Sequence, residues 1–201
     1  PNTVAVNTIR VLDVDASDID DLTRAEVEAH LQIIPLVNML KEHVPGFQDA
    51  YISSVNPVIG VRESRRIMGI KKLTAEDVIA GHIPDDSVAL FSYFIDIHNG
   101  KGEGTYTKSI MEPYGIPYGC TVSKDIEGLM MAGRCISVDA VAFGSSRIMT
   151  VLMAVGEATG VGAALAVKQN ISPKDVDTDQ IREIIKAHGA ILSVEDAKQL
   201  D

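Results

Sequence analysis

The sequence predicts an α+β fold: a mixed β-sheet against one long, buried helix of small residues, plus a separate antiparallel sheet. Three observations carry this expectation. Runs such as "TVAVNTIRVL" and "LFSYFIDIH" have the alternating or continuous apolar character of strands. Helix-capping residues followed by apolar positions at helical spacing occur between and after these runs. The stretch from residue 146 to residue 169 is rich in Ala, Gly and Val, shows no alternation, and is too long for a strand.

Composition bounds the rest. Hydrophobic residues make up 46% of the 201, enough for a packed core, while aromatic residues are only 4% and Trp is absent. Small aliphatics and Met must therefore fill the interior. The formal net charge of -10, with no dense basic run, argues against a nucleic-acid partner. Two cysteines, Cys120 and Cys135, define no disulfide framework and read as reduced thiols, a single bridge staying open. No charged segment followed by an apolar core marks a signal peptide; the start at Pro1 fits either a processed chain or a piece of a longer one. Residues 148–167 are the most apolar stretch, interrupted by Glu157 and several glycines, and read as a buried helix of a soluble protein, not a membrane span. The compartment stays unknown, cytoplasmic or secreted, and self-association into a homo-oligomer stays open.

The elements follow in order. Residues 3–12 alternate and read as a strand, and "DVDASDIDDL" as an acidic connector. Residues 23–44 read as a helix opened by a capping box of Thr23 and Glu26, with Val27, Leu31, Ile34 and Leu40 on its apolar face and a kink at Pro35. "AYISSVNPVIGV" is a second strand, and "KKLTAEDVIAGH" a short helix with Thr74 as N-cap and Gly81 as its stop. "LFSYFIDIH" and "TYTKSIM" flank "NGKGEG" and form a hairpin with a long tip. "YGIPYGCTV" and "LMMAG" are further strands, the long helix follows, and two short helices capped by Thr178 and Ser193 close the chain.

Within the long helix, Ala154, Ala158, Gly162 and Ala166 recur every fourth residue, as do Gly156, Gly160 and Ala164. These are two adjacent stripes almost without side chains. Each glycine costs about 1 kcal/mol relative to Ala in a helix, so close approach by a sheet or by a ligand is expected to compensate. Just before the helix, "FGSSRIM" places Arg147 where a cation is unfavourable for the helix itself. Either it meets an anion or electron-rich group there, or it points into solvent.

The order "AGRCIS", loop, "GSSRIM", then "AVGEATGVGAALA" resembles the C-terminal flavin-binding segment of the FAD-dependent oxidoreductase family. "GVRESRRIMG", "LTAEDV", "YFIDIH" and "YGIPYGC" resemble its middle segment in the same order, so the likeness runs over roughly residues 56–168. The family's dinucleotide fingerprint, a strand followed by G-x-G-x-x-G, has no counterpart: "GVGAAL" lies inside the long helix and lacks the last glycine. The resemblance therefore implies the C-terminal part of such an enzyme, an α/β-type flavoprotein remnant, whose partner is a missing N-terminal dinucleotide-binding region of the same polypeptide. A His that relatives carry near positions 138–141 is replaced here by Asp139, so no role passes to it.

The resemblance implies the following assignments. Residues 1–57 form a strand and helix of the cap or linker, 58–118 the substrate cap with its hairpin, 119–169 the C-terminal part of the FAD-binding domain, and 170–201 the closing helices. The expected cofactor is FAD, and the expected cofactor contacts are Gly133, Arg134, Ser145, Ser146, Arg147, Met149 and Thr150. Gly133 admits close backbone approach, and Arg134 is open between a pyrophosphate contact and another role. The backbone donors of the helix start would face the pyrimidine end of the flavin.

No catalytic residue is fixed. Arg62, Arg65 and Arg66 could receive a substrate anion or form surface ion pairs. Asp96 and His98 share a strand face and read equally as an acid–base pair or a solvated hairpin end. His98 and Arg65 are the candidates carried forward. Metal ligands are too few for a site. Cys135 reads as a packing residue rather than a nucleophile. Three functions compete: hydride transfer to flavin by a parent oxidoreductase, with a small-molecule substrate and an isolated chain that is inactive; a polysaccharide lyase-related protein, since some relatives carry the label xanthan lyase, with His98, Tyr106 and the arginines serving it; and a non-catalytic truncated domain.

Overall fold

A computed structural model describes residues 3–98 and 105–198, which divide into two compact units, residues 3–64 and residues 65–98 with 105–198. The α+β class is as expected: helices dominate, with small antiparallel sheets.

The first unit is built on helices α1 (Ile19–Leu31) and α2 (Ile33–His43). The single helix expected over 23–44 breaks at Gln32, because Pro35 in the first turn of α2 has no N–H to continue the ladder from α1. Nor does Thr23 open the helix. Asp18 caps it through the N–H groups of Asp20 and Asp21, five residues earlier, where acids favour the positive helix end. Thr23 instead donates its hydroxyl to the Ile19 carbonyl, and Glu26 accepts the Ile59 N–H at 2.9 Å. The two strands expected at 3–12 and 50–61 are irregular chain without strand pairing among the described residues. Their alternation is real, but a strand needs a partner for its backbone groups. Ala25 is the one buried apolar residue of this unit among the described residues, while Val27, Leu31 and Ile34, read as its apolar face, are exposed.

The second unit carries the core. Helix α3 (Ala75–Ala80) forms as expected, with a capping box between Thr74 and Asp77 and Gly81 left-handed at its end. Strands β1 (Ser87–Phe91), β2 (Ile95–His98), β3 (Thr105–Lys108) and β4 (Tyr114–Pro117) pair β1 with β4 and β2 with β3, both antiparallel. The outer pair flanks the inner pair in sequence, so the four strands form one interrupted hairpin. Its inner register sets Asp96 opposite Thr107 and His98 opposite Thr105. The expected tip, residues 99–104, lies outside the described residues. "LMMAG" is not a strand: it makes one isolated bridge, Met130 with Val122, and ends at Gly133 with φ +95°.

Residues 140–146 form a helix where the sequence indicates a loop, α4 (Ala140–Ser146), capped by Asp139. The long helix α5 (Met149–Gln169) follows one turn later than expected, its N-cap Ile148 lacking a side-chain bond. Its buried face, with Val151, Val155, Ala158, Gly162 and Ala166, spans two apolar clusters. One gathers Leu73, Ile95, Tyr114, Ile136 and Phe143; the other Tyr118, Ile181, Ile185 and Leu192. Each fully buried Ile or Leu is worth about 1.5–3 kcal/mol. Helix α5 is long and apolar enough to cross a membrane, with a mean hydropathy of 1.6, and here it lays one face on these clusters. Helix α6 (Thr178–Ala187) is capped by Asp177 rather than Thr178, since the Asp carboxylate accepts the Asp179 N–H; Ser193 caps α7 (Val194–Lys198) as expected.

Candidate functional site

Five of the seven expected cofactor contacts, Ser145, Ser146, Arg147, Met149 and Thr150, lie at the turn from α4 into α5, which the inner hairpin braces, while Gly133 and Arg134 lie in the segment before α4. Gly144 lets the strand come close: a Cβ there would stand 2.8 Å from Ile97 Cγ1 and 3.1 Å from the Asp96 carbonyl. Ser145 is fully buried. Its hydroxyl donates to the Tyr93 carbonyl at 2.5 Å and lies 2.9 Å from the Tyr114 hydroxyl. Burial pushes the Tyr114 phenol up to about 12, against the opposing bond from Ser145, so it stays protonated. Ser145 and the buried Ser146 are thus interior residues.

Arg147 is tied as well. One guanidinium nitrogen donates to the Asp96 carboxylate at 3.0 Å and to the Asp96 backbone carbonyl at 3.2 Å, with the two side chains only 13% and 20% exposed. Asp96, read from sequence as half of an acid–base pair with His98, is the partner of this arginine. The His98 side chain lies outside what the structure describes, and its backbone closes the inner pair of strands.

Beyond Arg147 the surface opens. Met149 and Thr150 are exposed at the first turn of α5, which carries no acidic residue and no side-chain cap. Its backbone donors and partial positive charge suit an electron-rich group. Gly133 has open space around it, Arg134 is exposed, and Cys135 is half-buried with its thiol 3.4 Å from the Ala132 carbonyl. Cys120 is buried, which pushes its thiol up to about 12 and suits packing rather than attack.

The arginines do not share a strand, because residues 60–67 are irregular. Arg65 is exposed, and Arg66 lies over the Phe143 ring of α4 at 5.2 Å. Asp139, given no role from sequence, holds two helices. One carboxylate oxygen accepts from Val141 and Ala142 at 2.9 and 2.8 Å, and the other accepts the first N–H of α3, from Ala75, at 2.6 Å. The signal was present, an Asp just before a short apolar run. Among the described residues, no cluster of His, Cys, Asp or Glu could hold a metal ion.

The sequence matches the family of FAD dependent oxidoreductases over residues 1–185. The chain belongs to that family. Comparison with curated proteins and with solved structures gave no match. FAD is the family's cofactor, and a dinucleotide-binding region and a small-molecule substrate come with it. The uncapped start of α5 fits the electron-rich edge of a flavin. Among the described residues the ADP end of FAD finds no matching donor set, since the nearest match to the glycine-rich fingerprint, "GVGAAL", runs inside α5.

Proposed function

We propose that this chain is one part of an FAD-dependent oxidoreductase polypeptide, supplying the flavin-proximal side of the cofactor site and the substrate cap, while another segment binds the ADP half. Bound FAD supplies the redox chemistry by accepting a hydride from a small-molecule substrate. The protein's contribution is to orient and polarise. The first-turn N–H groups of α5, at Met149 and Thr150, face the pyrimidine end, and Gly133 and Arg134 lie toward the ribityl and pyrophosphate. Residues 58–118 cover the substrate, 119–169 belong to the cofactor domain, 170–201 close it, and 1–57 link or extend the cap. The isolated chain is inactive on this reading.

The observation that carries it is the outer face of α5. A Cβ added at Gly156 or at Gly160 would meet nothing within 4 Å, and Met149, Met153 and Val167 around them are 80%, 74% and 83% exposed. A helix accepts two such glycines, at about 1 kcal/mol each, where something must come close, and nothing among the described residues does so. An exposed apolar face of this kind supports a missing half that packs there. The test is to purify the natural polypeptide that contains this sequence and measure FAD binding and substrate-dependent bleaching. A flavin-free protein that takes up no added FAD sinks the reading.

A further inference from the structure

We infer that the rings of Tyr93 and Phe94 form a stacking surface in the substrate cap that receives a planar aromatic ring of the small-molecule substrate. This rests on the function proposed above and names the substrate class for that site. Aromatic residues are scarce, five Tyr and four Phe in the whole chain, yet Phe91, Tyr93, Phe94 and Tyr114 meet at one place. The row begins in the core. Phe91 packs on the first apolar cluster and meets the fully buried Tyr114 ring edge-on, with centroids 6.3 Å apart. Tyr93 lies nearly parallel to Phe91 at 6.1 Å, and Phe94 stacks on Tyr93 at 4.3 Å with 26° between the planes. Phe94 is 41% exposed, so the row ends at the surface.

The backbone is shaped to make this stack. Consecutive residues of a strand point to opposite faces, so Tyr93 and Phe94 could not meet if β1 ran straight on into β2. The ladder with β4 ends at Phe91, opposite Tyr114, and the ladder with β3 begins at Ile95, opposite Lys108. Residues 92–94 belong to neither, and the Tyr93 carbonyl accepts the Ser145 hydroxyl instead. That hydroxyl has one proton and gives it to Tyr93, so at 2.9 Å it accepts from the Tyr114 hydroxyl. A chain of two hydroxyls therefore holds the break and ties the stack to the turn from which α5 departs. An exposed aromatic face attracts a further ring through dispersion and through its quadrupole, in offset or edge-on geometry. The flavin is placed against the first turn of α5, whereas Phe94 is borne by the cap. The ring that continues the row is therefore the substrate's.

The test uses the natural polypeptide with FAD bound and two uncharged probes of similar shape, benzamide and cyclohexanecarboxamide, titrated by ligand-observed NMR. Benzamide should bind about 2–10-fold more tightly, the ratio that one ring contact of ordinary strength gives. Phe94→Leu should abolish the preference while FAD and the melting temperature stay as in the parent, and Phe94→Trp should keep it. No preference in the parent, or an unaltered one in Phe94→Leu, overturns the inference and leaves the flavoprotein reading intact. Loss of FAD from a folded Phe94→Leu protein also overturns it, because the ring received there is then the cofactor's. If Phe94→Leu does not fold, Phe94→Trp decides: a retained preference supports the stack, and a lost one overturns it. A parent polypeptide that takes up no FAD is recognised by its visible spectrum and overturns both readings.

Discussion

The Tyr118 ring occupies the space where a side chain on Gly162 would stand. A Cβ on Gly162 would lie 2.6 Å from the Tyr118 hydroxyl oxygen and 2.7 Å from its Cε2. The ring has little freedom to retreat: it is 3% exposed, and its hydroxyl donates to the Pro173 carbonyl at 3.0 Å. Gly162→Ala gains about 1 kcal/mol of helix propensity but overpacks the core by about 1–3 kcal/mol. The net expectation is a lower melting temperature for this chain, measured by circular dichroism.

The other glycines of α5 behave oppositely. Gly156→Ala and Gly160→Ala enter open space, so each should stabilise the isolated chain by about 0.5–1 kcal/mol. On the function proposed above, the same changes in the natural polypeptide weaken packing of a further segment on this face and lower FAD affinity. Stabilisation in both settings would mean that nothing packs on this face.

Asp139 offers a sharper stability test. Asp139→Ala removes the cap of α4 and leaves the Ala75 N–H without its carboxylate partner. A lost cap costs about 1 kcal/mol and an unsatisfied donor about 1–3 kcal/mol. Asp139→Asn keeps one acceptor oxygen and should fall between. Equal melting of both variants would show that the retained oxygen contributes nothing, and melting of Asp139→Asn with the parent would show the same of the second oxygen.

Acid should loosen α3 through Asp77. Burial pushes this carboxyl up, but bonds from the Thr74 hydroxyl and N–H and from His82 outweigh it and hold the carboxyl below its usual 3.8. A carboxyl depressed in the folded state stabilises fully above its unfolded value, and that contribution is lost as pH falls through the lowered value. Asp77→Asn should therefore cost stability at pH 7 and converge with the parent in strong acid. A constant difference between the two melting curves from about pH 7 down to about pH 2 would contradict this.

What the sequence made legible was local. Thr74, Gly81 and the strands flanking the hairpin tip are short-range signals, and the structure places them where the sequence indicates. The long helix was legible from composition. Its division was not: Ala158, Gly162 and Ala166 pack inward while Gly156 and Gly160 face outward, which depends on where Tyr118 comes to lie. Residues 3–12 and 50–61 have strand patterning without strand pairing among the described residues, because pairing needs a partner that periodicity cannot supply. At the site, the sequence marked Arg147 and Asp96 separately. Their mutual bond joins residues 51 positions apart, and no spacing rule reaches that far.

The most direct measurement is the visible absorption spectrum of the natural polypeptide containing this sequence, recorded as purified and after addition of FAD and removal of the excess. The account predicts a yellow protein with flavin bands that bleach on reduction, and a separately produced 201-residue chain that retains none. A colourless polypeptide that retains no added FAD would contradict it.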